Sequence, residues 1–269
     1  MAQTMKNVKA ISIPVNGTSY NVKKIEDSNG NIIWGSLTAF PYRRLEYIHL
    51  NGAERVQTNF YAGTTTINHQ SEFTLDEMPT SGNEFHYVGI YDNTISNGLK
   101  RLYLAHVNTT GLHINIGNTW SDYASSLPLN TKLKLSGTLG KDGSNKPRIY
   151  YYLFNQDAGT TILTAAPLVG PEAGDLNTTV VLSIGCIREH QSTTDNYNKF
   201  WKGKVYNYQR RQTNASGTLL TNLIPCQRKS DGVCGMYDTV GNTFYQMRGT
   251  TITDAAAGPV VDEYWDLTA

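Results

Sequence analysis

Polar and apolar residues alternate along most of this chain, and that period of two constrains what it can fold into. In Lys132-Leu133-Lys134-Leu135-Ser136 the leucines stand at every second position. Leu112-His113-Ile114-Asn115-Ile116 and Lys204-Val205-Tyr206-Asn207-Tyr208 repeat the pattern. Pro147-Arg148-Ile149-Tyr150-Tyr151-Tyr152-Leu153-Phe154 is a β-branched and aromatic run of strand length. Successive residues of a strand face opposite sides, so such runs bury one face and turn the other outward. Asn-Gly, Asp-Gly, Ser-Gly and Gly-Asn pairs fall between the runs at hairpin spacing. No window of about eleven residues carries a helical period. The fold class is therefore all-β, and the close spacing of strands and turns predicts a two-sheet sandwich.

The stretch Asn222 to Gln246 shows this most clearly, because it turns back at Ser230-Asp231-Gly232 and again at Val240-Gly241-Asn242. Near the other end, residues 8–34 form a unit of their own. Ala10 to Val15, an Asn16-Gly17 turn and Ser19 to Ile25 read as a hairpin, and Asn29-Gly30 turns into Ile32-Ile33-Trp34. Three short strands are marginal alone in water, so this piece is expected to dock on something larger. Pro14 suggests an edge strand. The boundaries that follow are a β anchor module at 1–35, a linker at 36–41, a sandwich at 42–253 and a C-terminal tail at 254–269.

With 269 residues the chain can bury a large core without a metal or disulfide staple. Cys186, Cys226 and Cys234 have no CxxC or zinc spacing. Cys226 and Cys234 flank one hairpin and could be bridged, but thiols packed as small apolar groups are the expectation. A formal net charge of +1 speaks against nucleic acid or an anionic membrane as partner. The doublets Arg43-Arg44 and Arg210-Arg211 have neutral polar flanks and read as solvated positions. No stretch approaches the roughly 20 apolar residues of a membrane helix. The first residues carry no signal-peptide pattern, which leads us to expect synthesis in a cytoplasm.

Catalytic signatures fail one by one. There is no GxGxxG, P-loop, HExxH, GxSxG or EF-hand spacing. Six histidines lie scattered, and His86 and His113 read as surface-facing strand residues. Sandwich glycosidases need two carboxylates on one strand face, about 5 Å apart when the enzyme is retaining. Glu72 and Asp76 have matching parity, but Thr74 occupies the position between them and the segment ends in Met78-Pro79. No catalytic residue, metal or cofactor is expected.

Binding remains. Sugar recognition combines an aromatic face with Asp, Asn or His groups for hydroxyls. Asn118, Trp120, Asp122 and Tyr123 supply that mixture in one loop, and His190 and Tyr197 in a second. Trp120 could equally plug one end of the sandwich, and Trp201 reads as core.

Three blocks in order resemble a concanavalin A-like (LamG-like jelly-roll) domain family common in bacteriophage structural proteins. They are Tyr42-Arg43-Arg44-Leu45-Glu46-Tyr47-Ile48 with Gln57-Thr58-Asn59, then Gly203-Lys204-Val205-Tyr206, then Ile224-Pro225-Cys226 through Asn242-Thr243-Phe244-Tyr245. The resemblance covers about residues 42–250 and implies a jelly-roll with no catalytic or metal residues. Residues Val22 to Trp34 are similar to the short N-terminal module of phage virion proteins. The resemblance thus implies a virion fibre, spike or decoration protein, assembled in the host cytoplasm. It would anchor to other virion proteins through Ile11, Ile13, Val15, Val22, Ile25 and Trp34, and would bind host-surface or environmental glycans. Fibres of this sort are homo-oligomers, with trimers common. A purely structural decoration protein and a polysaccharide-degrading enzyme are the alternatives.

Overall fold

The computed structural model describes residues 11–15, 18–22, 24–26, 32–35 and 40–262, except 64, 96–98, 118, 125–126, 165–166, 171–172, 175, 177–179 and 192. For 11–35 and 120–124 the description extends to the backbone only. The chain divides into two compact units, Met1–Pro41 and Tyr42–Ala269. In the first, Ile11–Val15 pairs antiparallel with Thr18–Val22, and Lys24–Glu26 pairs with Ile32–Gly35. The expected single strand from Ser19 to Ile25 is thus two strands belonging to two separate ladders. The proposed anchoring side chains lie outside the described residues.

The second unit is a sandwich of two antiparallel sheets. The centre of the first sheet is the series Pro147–Asn155, Leu133–Lys141, Ile67–Phe73 and Lys202–Gln212, each hydrogen-bonded to the next. Leu219–Arg228 extends it beside Lys202–Gln212 and leads into the hairpin with Cys234–Asp238. The second sheet runs Thr119–Ala124, Gly111–Ile116, Arg101–Asn108, Val88–Asp92, Val181–Ile184 and Arg55–Tyr61. Thr243–Arg248 pairs with Cys234–Asp238 of the first sheet and with Arg55–Tyr61 of the second, joining the two. The closing residues of the described chain continue the sandwich: after a 3-10 turn at Asp254–Ala256, Val260–Asp262 pairs with Tyr42–Leu45. Among the described residues that turn is the only helical element.

Leucines of the alternating runs meet between the sheets. Leu104 from the second sheet packs near Gly137 of the first, where an added Cβ would stand 3.6 Å from the leucine and 3.2 Å from Ile149. At the centre Phe73 stacks on Tyr87 with ring centroids 4.2 Å apart, and Trp201 closes edge-on at 5.5 Å. Burying each such side chain stabilises the fold by about 1.5–3 kcal/mol. Trp201 is fully buried as expected, and its indole N–H donates to the carbonyl of Thr74 at 2.8 Å. Gly203 is explained by the same contact, since a Cβ there would fall 2.1 Å from the Thr74 oxygen. The three cysteines are free and buried.

Two sequence expectations are corrected. His113 and His86 do not face solvent: they are 6% and 0% exposed. Leu112, Ile114 and Ile116 point into the core, so His113 and Asn115 lie on the outer face of the second sheet, and that face is itself buried. Arg210 is not a solvated position either, because its guanidinium lies over the Phe60 ring at 4.7 Å.

Candidate functional site on the open face of the first sheet

The outward positions of the first sheet fall into register across several strands. Tyr152 pairs with Ser136, Ser136 with Gln70, Gln70 with Gln209 and Gln209 with Asn222. The neighbouring row runs Phe154, Lys134, Glu72 and Asn207. A period of two on every strand presents amides, hydroxyls and two charges on one surface, while the intervening residues fill the core.

Side-chain bonds hold this surface in order. Gln70 donates to the Asn68 amide oxygen at 2.8 Å, and Asn68 donates to Thr138 at 2.8 Å and Ser136 at 3.1 Å. Gln209 donates to Asn222 at 2.9 Å. Burial pushes the Glu72 carboxyl up, but hydrogen bonds from Lys132 and Gln156, at 2.9 Å each, outweigh it and hold the group below its usual range. Two hollows share Glu72 and Asn207. One, of about 160 Å³, is lined by Gln70, Lys134 and Gln209, and the other, of about 350 Å³, by Arg44, Lys132 and Tyr206.

Aromatic rings border the amides in two places. Tyr150 is 44% exposed, and Tyr152 and Phe154 stack at 6.2 Å. Next to Asn207 on its strand, Tyr206 meets Tyr47 edge-on at 5.5 Å, with the Lys132 ammonium 4.4 Å from the Tyr206 ring. Rigid amides with a hydroxyl-binding inventory beside aromatic faces can hydrogen-bond a polyol and stack its apolar side.

The sequence-derived binding residues occupy a different place. Asn118 lies outside the described residues, as do the side chains of Trp120, Asp122 and Tyr123. The two expected loops are strands instead: Trp120, Asp122 and Tyr123 lie on Thr119–Ala124, paired with Gly111–Ile116, and His190 and Tyr197 lie on the paired strands Cys186–Gln191 and Thr194–Asn198. Gly117, at the turn before Thr119–Ala124, donates to the Arg101 carbonyl at 2.9 Å. Arg101 pairs with Tyr91, and the adjacent Asp92 pairs with His190, which brings the turn at Gly117 and His190 to one end of the second sheet. There His190 is hydrogen-bonded to Asp195 at 2.9 Å, and Tyr197 lies under the Arg55 guanidinium at 3.7 Å. The paired carboxylates separate chemically: Glu72 binds Lys132, whereas Asp76 is hydrogen-bonded to His49 at 2.6 Å. The amide face was missed because its members come from strands far apart in sequence. The signal available was the run of Gln, Asn, Ser and Thr at the polar positions of the alternation.

No protein-family model matches the chain, and no curated protein matches it. A solved structure of Scytalido-glutamic peptidase with a peptide-based transition-state analogue aligns over 78% of this chain and 91% of that chain. Its identity is 8% and its TM-score 0.28, a likeness too slight to carry any argument about activity.

Proposed function

We propose that this chain is a virion structural protein whose sandwich binds glycans on the open face of the first sheet, without catalysis. The observation that carries the binding reading is the part-exposed row Ser136, Gln70, Gln209 and Asn222, with the Tyr152 ring at one end. A non-catalytic role is supported by the separate engagement of Glu72 and Asp76. The virion assignment rests on the resemblance of the three sequence blocks to phage jelly-roll domains. In this reading residues 1–35 attach to other virion proteins and the chain assembles as a homo-oligomer, a trimer foremost. Many displayed copies then make weak single-site affinity sufficient.

A glycan array with the full chain tests this, run beside Gln70→Ala/Gln209→Ala and Trp120→Ala. The reading expects saturable binding to a defined glycan that is lost in the double variant and kept in Trp120→Ala. The reverse pattern moves the site to the strand Thr119–Ala124 of the second sheet. No binding by any well-folded form leaves a purely structural decoration role.

A further inference from the structure

The buried outer face of the second sheet holds a cluster that neither the fold nor glycan binding uses. Strand pairing sets His86 opposite His106, and His106 opposite His113. The His86 and His106 rings stack with centroids 4.3 Å apart. Glu84, two residues before His86, turns its carboxylate to the same pair. Its Oε2 stands 3.4 Å from His86 Nε2 and 3.3 Å from His106 Nε2. We propose that Glu84, His86 and His106 form a binding site for a divalent cation of the zinc class.

Geometry supports the assignment. Charge-assisted hydrogen bonds between such groups close to about 2.7–2.9 Å, and these separations are longer. Two ligands held at 2.0–2.2 Å around a tetrahedral centre stand about 3.3–3.5 Å apart, which is what Glu84 keeps from each imidazole. All three ligand atoms lie within 4.8 Å of one another. The donor set, two imidazoles and one carboxylate, suits zinc and its neighbours, whereas calcium and magnesium prefer oxygen alone. Both side chains of the histidine pair are almost fully buried, while that of Glu84 is 31% exposed, so an ion would enter from the carboxylate side and keep a fourth position for water.

Two features bound the affinity. His86 Nδ1 is buried without a hydrogen-bond partner among the described residues, so its ring lacks the acceptor that usually orients a metal-bound histidine. Losing such support costs 10- to 100-fold in affinity. The Lys199 ammonium lies 2.6 Å from the same Glu84 oxygen and competes for it. Its side chain is 39% exposed and can retreat into water when an ion replaces it. The expected affinity is micromolar, with one ion per chain.

The test uses the full, untagged chain after treatment with a chelator. Zn²⁺ is titrated by calorimetry, and Co²⁺ is followed by its visible absorption. The expected result is one site per chain, with a four-coordinate cobalt spectrum that lacks a thiolate charge-transfer band. Glu84→Gln should weaken binding at least tenfold, and His106→Asn should abolish it. Lys199→Met should tighten it about tenfold. Glu84→Gln alters a partly exposed group, so it remains informative if His106→Asn does not fold. Absence of stoichiometric binding by the wild-type chain overturns the proposal. So does binding that survives Glu84→Gln unchanged or carries a thiolate band.

Discussion

Gln70 and Asn115 are both amides on the outward side of a strand, and they meet opposite surroundings. Gln70 is part-exposed in the first sheet and bonded to Asn68 and to the Ala215 carbonyl. Asn115 is fully buried in the second sheet, and neither of its amide atoms has a partner among the described residues. One face is partly exposed to water and ordered by side-chain hydrogen bonds. The other is dry and holds His86, His106, His113 and Asn115 together. The difference teaches that alternation sorts residues between the two sides of a strand but does not say what covers the outer side.

The largest expected effect comes from placing a charge on the dry face. Asn115→Asp should destabilise the protein by about 3 kcal/mol or more, because a buried carboxylate would replace an amide that has no hydrogen-bond partner among the described residues. Asn115→Leu should be neutral or stabilising, since it removes an unpaired amide of similar size. Urea unfolding of both variants checks this, and a mild effect of Asn115→Asp would break the comparison.

Acid should act next. Burial first, then the nearby Arg210 charge, pushes His69 down to about 3, and its ring bonds the Tyr208 hydroxyl at 2.7 Å. In the unfolded chain a histidine titrates near 6.5. Between those values the unfolded state binds more protons, so stability is complete above pH 6.5 and drains away as pH falls toward 3. The loss per pH unit is at most about 1.4 kcal/mol for each such group. His69→Gln should flatten the urea midpoint between pH 7 and pH 4.5 only in part, because His86 and His106 are depressed in the same direction.

The wet face should tolerate change. Gln209→Ala is expected to shift stability by no more than about 0.5 kcal/mol, and Gln70→Ala, which removes the donor to the buried Asn68 amide oxygen, by about 1 kcal/mol. Lys132→Ala, which breaks the part-exposed pair with Glu72, should cost no more than about 1 kcal/mol. Thermal denaturation of the three variants measures both effects.

Much of the fold was legible because it is local. Lys132 to Ser136 announced the strand Leu133–Lys141, and the turns at Asp231-Gly232 and Gly241-Asn242 announced the closing hairpins. The separation of Thr18–Val22 from Lys24–Glu26 had a signal that went unused: Ile25 stands three positions after Val22, so the alternation slips by one there. His86 and His113 were misread for a different reason: their positions are outward, and outward was taken to mean wet. The amide row and the Glu84 cluster were illegible because register, not spacing, brings Gln70 beside Gln209 and His86 beside His106.

The contrast between the faces is tested most directly by following side-chain amide resonances while titrating the glycan that the array identifies. The account predicts that Gln70, Gln209 and Asn222 shift saturably and that Asn115 stays still. Movement of Asn115, with the first three unchanged, would contradict it.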